Sequence, residues 1–177
     1  WKANDVILGP LIPANFDIVS LKDSLSLIPM VAPLSSKPVT SRANVYQSIT
    51  SSDLLRKKMF VYLDTVLDST QNVLLITDTL NRDIEDQLYA RYPFAQILRP
   101  EPEGYVVPDL IDSLLVDTLI NKVVFESQNL GLIASVTSLL NSQVSKERDV
   151  QLFTTFRSNA YDNKNISIKQ LGNLKFT

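Results

Sequence analysis

Residues 72–79 read NVLLITDT, an unbroken apolar run that stops in Thr77-Asp78-Thr79 and leads into the polar, helix-prone segment NRDIEDQL at 81–88. A run with no alternation of apolar and polar residues is a strand buried on both faces, and such strands belong to parallel sheets covered by helices on either side. The same grammar recurs outward from this stretch, in VILGP at 6–10, IPMVAPLSS at 28–36, VVFES at 123–127 and VQLFTTFRS at 150–158. Each apolar run ends in a short polar cluster. In an open parallel α/β sheet ligands bind just beyond the carboxyl ends of the strands, so these clusters define one candidate rim.

The pattern predicts an α/β fold, a mostly parallel sheet with helices on both faces, with strands at 5–8, 28–31, 45–49, 72–77, 95–98, 122–126, 150–154 and 174–176. Between them, Ala14, Ile18, Leu21 and Leu25 share one helical face, as do Leu55, Met59, Tyr62, Leu63 and Val66, and Leu132, Ile133, Val136, Leu139 and Leu140. Thr50 with Asp53 fits a capping box, Asp78 or Thr79 is placed to cap the helix through Leu88, and a further helix with Ile111, Leu114, Leu115 and Leu119 begins at Pro108. The proline-rich stretch 33–42 reads as a crossing segment, dividing the chain into 1–41 and a larger Rossmann-like part, 42–177. The irregular stretch 99–108 reads as a surface loop, and 157–169 as a polar loop over the rim.

Seventeen basic residues against nineteen acidic ones, scattered along the chain, give no footprint for nucleic acid or anionic lipid. No apolar stretch reaches the roughly 18–20 residues that span a bilayer. Cysteine and histidine are both absent, which removes thiolate nucleophiles, Ser-His-Asp triads and zinc sites built on either residue. The four glycines, Gly9, Gly104, Gly131 and Gly172, are too dispersed to form a phosphate-cradling loop. Thr77-Asp78-Thr79 is similar to the haloacid-dehalogenase phosphatase motif, but Leu80 stands where its second aspartate belongs, so an aspartyl-phosphate route lacks its general acid. These exclusions point to a non-enzymatic domain without a cofactor or metal.

The segments DVILGPLIPANFDIVS and IPMVAPLSS, then VYQSITSSDLLRKKMFVYL, NVLLITDTLNRDIEDQL and NKVVFESQNLGLIASVTSLLNS, resemble in order the type 1 periplasmic-binding-protein fold. Within it the chain is most similar to the domains of Bacteroidetes envelope proteins that carry peptidoglycan-binding LysM modules upstream. The resemblance implies the end of a first lobe (1–41) followed by a second lobe, in the periplasm or cell envelope. It implies binding of an amino acid, sugar or muropeptide, or of an envelope protein partner, in an interlobe cleft. The alternative is a scaffolding subunit of an envelope complex whose pocket is vestigial. The start at Trp1 suggests a removed signal peptide or a piece of a longer protein.

Seven residues are candidate ligand contacts. Ser35 and Ser36 offer hydroxyls in the Pro33 turn, the one the family uses. Asp78, Glu126 and Arg157 follow strands and, if they converge, suit a zwitterion or sugar amide. Phe156 and Tyr161 are candidates for stacking on a ring, ahead of Tyr46 and Tyr105. Each also has a plainer use, as turn former, helix cap, solvated charge or packed aromatic.

Overall fold

Three short parallel strands, β1 (Ile7–Leu8), β2 (Met30–Ala32) and β3 (Val45–Gln47), pair in that order in the computed structural model, which describes residues 6–35, 37, 39 and 42–177. Ser36 lies outside the described residues. Helix α1 (Pro13–Ser20) opens with proline at its start, where the missing N–H costs no hydrogen bond. Its expected face is not the buried one. Phe16 enters the core with Leu25, Met30 and Ala32, whereas Ile18 and Leu21 are more than half exposed. The helix ends at Ser20, and Leu25 arrives on a separate 3-10 turn (Asp23–Leu25), so those four residues never form one stripe. Gly9 ends β1 at φ +95°, a conformation that side-chain-bearing residues rarely adopt.

The compact units are Trp1–Lys58 and Met59–Thr177, a division within α2 (Ser52–Val66). β3, beyond the boundary expected at residue 41, pairs with β2 in the first sheet. Ser51 Oγ accepts the Leu54 N–H at 3.3 Å, so Ser51 rather than Thr50 caps α2. Leu55 and Tyr62 of the expected α2 face are exposed, while Leu63 and Leu67 are buried.

The second unit holds β4 (Asn72–Thr77), α3 (Arg82–Arg91), β5 (Gln96–Leu98), α4 (Pro108–Leu114), β6 (Asn121–Glu126), α5 (Leu130–Gln143), β7 (Val150–Phe153) and α6 (Ile168–Asn173). All four strands run parallel in the order β5-β4-β6-β7, and every residue of β4 and β6 is buried. Successive side chains serve opposite layers. Leu74, Ile76, Val123, Phe125 and Leu152 pack with α4, α5 and α6, while Val73, Leu75, Val124 and Phe153 pack with α2 and α3. The unbroken apolar runs follow from this double cover. α4 is shorter than expected and ends at Leu114, so Leu119 falls outside it.

No regular strand forms at 174–176. Lys175 takes the left-handed position after α6, at φ +49°, and closes a Schellman turn in which Phe176 N–H donates to Leu171 C=O and Lys175 N–H to Gly172 C=O, both at 3.1 Å. The tail still bonds to β7, through Leu152 N–H to Leu174 C=O and Thr177 N–H to Leu152 C=O, but the left-handed residue breaks the ladder. Among the described residues no helix is long and apolar enough to cross a membrane.

Candidate functional site

The chain leaves β4 toward β5 on one side and returns to β6 on the other, so the order reverses between β4 and β6. Loops diverge at such a switch point and open a crevice beyond the strand ends. Thr77 pairs with Glu126 in register, which puts Asp78 beside Ser127 there. Asp78 N–H donates to the Glu126 carbonyl at 3.2 Å. Its carboxylate accepts from Leu80 N–H at 3.0 Å, Asn81 Nδ2 at 2.7 Å and Ser127 Oγ at 2.6 Å. Asp78 therefore forms an Asx turn rather than capping α3, whose first turn begins four residues later, at Arg82. Ser127 Oγ in turn accepts from Asn129 N–H at 3.0 Å, and Asn129 caps α5 through Gly131 and Leu132 N–H.

All three donors to Asp78 are neutral, and among the described residues no cation lies within ion-pair distance of its buried carboxylate. Ser127→Ala removes what is, among the described residues, the only side-chain donor on Oδ2, and also the acceptor of Asn129 N–H. We expect a loss of about 1–3 kcal/mol, read from the urea midpoint, and a much smaller loss when Asp78 is already Asn.

Two further buried carboxylates flank this position. Glu85 on α3 accepts from the Thr77 hydroxyl and from Arg99 Nε at 3.1 Å and Nη2. Burial works most strongly against its ionisation, but the Thr77 and Arg99 hydrogen bonds with the Arg99 and Arg82 charges outweigh it, and the carboxyl sits below its ordinary 4.5. A carboxyl depressed by folding adds stability above its unfolded pKa, and that stability is lost as pH falls through the folded value. Unfolding midpoints should accordingly drop as the pH falls below about 4.5, and Glu85→Gln should flatten that part of the profile.

Glu126 faces the opposite neighbour. It accepts from Thr154 Oγ1 at 3.1 Å and from Thr155 N–H, at the carboxyl end of β7. Asp78 and Glu126 thus sit at the ends of adjacent strands with separate donor sets. A space of about 10 Å³, room for about one water, lies on the Glu85 side of Asp78, bordered by Thr77, Arg82, Glu85 and Arg99, and does not reach Glu126. Among the described residues no group of three or more Asp, Glu, His or Cys is placed to hold a metal ion.

The other expected contacts lie apart. Arg157 pairs with Asp162 at the surface and does not join Asp78 and Glu126. Phe156 is partly buried at the β7 end, where its carbonyl lies 3.3 Å from the Thr154 hydroxyl. Tyr161 is 2% exposed and stacks on Phe176, with ring centroids 4.7 Å apart, so its ring face is spent on packing. Burial, with a smaller push from Glu126, raises its phenol pKa, and the nearby Thr154 hydroxyl opposes the shift without a hydrogen bond of good geometry to Tyr161 Oη. In the first unit Ser35 Oγ donates to Lys37 C=O at 3.0 Å, which makes it a turn former within its own loop.

Sequence reading put Ser127 in a rim cluster without a role of its own, and missed Asn129, Glu85 and Arg99. Asn129 carried a signal, a capping residue directly before the apolar helix at 130; Glu85 and Arg99 did not, because they meet only once β5 pairs with β4 and brings Arg99 to the Glu85 carboxylate. No protein-family model, curated protein or solved structure matches the chain.

Proposed function

We propose that the chain is a non-enzymatic recognition domain of a peptidoglycan-associated protein in the periplasm or cell envelope, and that it takes a small solute at the strand-end rim of its second unit. One observation carries the reading. Asp78 stands at the β4/β6 switch point as a buried carboxylate, oriented by three neutral hydrogen bonds and without a cation partner among the described residues. A charge held this way is preorganised for a ligand ammonium or amide, and amino acids and muropeptides supply both groups. The resemblance to type 1 periplasmic-binding-protein folds supports the same ligand class.

Calorimetric titration of the full-length protein with amino acids and muropeptides tests this. Binding that weakens about tenfold or more in Asp78→Asn supports the reading, and flat titrations across both ligand sets would overturn it. A second reading, a scaffolding subunit of an envelope complex, is favoured by how thoroughly Glu85 and Glu126 are engaged within the protein. It expects flat titrations together with co-purification of an envelope partner.

A further inference from the structure

An open cavity of about 630 Å³ lies away from the switch point, between the 3-10 turn Asn159–Asp162, α6 and the chain's last residues. Its size is within the range of small-molecule sites. The floor is apolar, with Ile166 and Leu171 nearly fully buried and the stacked Tyr161–Phe176 pair forming one wall. The rim is cationic. Arg157, Lys164 and Lys175 line it against one carboxylate, Asp162.

The pairings leave positive charge to spare. Arg157 meets Asp162 through one nitrogen, Nη2, and Lys175 is held by Asp149 at 2.7 Å. Among the described residues no carboxylate lies within ion-pair distance of Lys164.

Gly172 adds a geometric observation. It lies within α6 and lines the cavity, and a Cβ built there meets nothing within 4 Å. Glycine inside a helix costs about 1 kcal/mol relative to alanine, so the open space at this position comes with a penalty in helix stability.

We propose that this cavity binds an organic anion with an apolar or aromatic body, the anionic group meeting Lys164 and the free donors of Arg157 while the body lies along Ile166, Leu171 and Phe176. The site is distinct from the Asp78 rim, and its ligand carries the opposite charge from the group proposed there.

The full-length protein titrated with N-acetylphenylalanine, its neutral amide and phenyl phosphate tests the assignment; the blocked amine removes the ammonium, phenyl phosphate lacks the amide as well, and Asp78→Asn reads out any amide contact at the rim. The carboxylate or the phosphate should bind at least about tenfold more tightly than the amide, which separates the two anion chemistries as well. Lys164→Glu should abolish that preference. Gly172→Leu should weaken binding about tenfold or more by projecting into the cavity, without lowering the unfolding midpoint, because leucine is the better helix former. Asp78→Asn should leave anion binding unchanged, so failure here and failure at the rim are read separately. Equal binding of anion and amide, no binding of either anion, or unaltered binding in Gly172→Leu would overturn the proposal.

Discussion

Asn121→Asp should destabilise the second unit by about 3–5 kcal/mol, although it exchanges only an amide nitrogen for an oxygen. Asn121 is fully buried at the amino end of β6, opposite Asn72 of β4. Its Nδ2 donates to Val116 C=O at 2.8 Å, Asp149 C=O at 3.0 Å and Leu119 C=O at 3.2 Å. Its Oδ1 accepts from Val116 N–H and Asn72 Nδ2, both at 2.8 Å. One side chain therefore ties the loop after α4 to the start of two neighbouring strands. An aspartate keeps the acceptor but turns three favourable contacts with carbonyl oxygens into repulsion, and it buries an unpaired charge. Urea unfolding near neutral pH gives the loss, which should shrink as the pH falls and the new carboxyl protonates. A loss below about 1 kcal/mol would show that the network is incidental.

Phe125→Ala should cost a similar amount, about 3–5 kcal/mol, for an unrelated reason. Phe125 is fully buried in β6 and belongs to the core layer formed with α4 and α5, among Ile111, Leu132, Ile133 and Val136. Removing its ring loses transfer free energy and leaves a void in a layer closed by several elements, which limits collapse around the gap. Phe125→Leu, which retains most of the volume, should cost less than about 1.5 kcal/mol. Thermal or urea midpoints of the two variants measure the difference. Equal losses would show that the ring's shape, rather than the filled volume, sets the stability of this layer.

The rim shows how far local sequence carries. Asp78 and Glu126 were legible as strand-end residues because strands 72–77 and 122–126 announce themselves through length and apolar continuity. Their partners were not. Ser127 donates to Asp78 only because β6 lies beside β4, although the two are separated by a helix, a strand and a second helix along the chain. The expected α1 face failed for a comparable reason: a helical stripe shows which residues can share a side, but Phe16 filled the core once the helix stopped at Ser20. The last strand failed because Lys175 adopts a left-handed conformation that nothing in its side chain announces.

The sequence alone determined the α/β class, the parallel pairing implied by doubly buried strands, and the exclusion of chemistry that needs cysteine or histidine. These follow from side-chain type and from periodicity over a few residues. The tertiary structure decided which carboxylates are already engaged, that Asp78 stands at the switch point without a cation partner among the described residues, and that Arg157 and Tyr161 border a separate cationic cavity. Those properties depend on strand order and on where crossing helices end. Both are set by contacts between residues far apart in the chain, which no local pattern encodes.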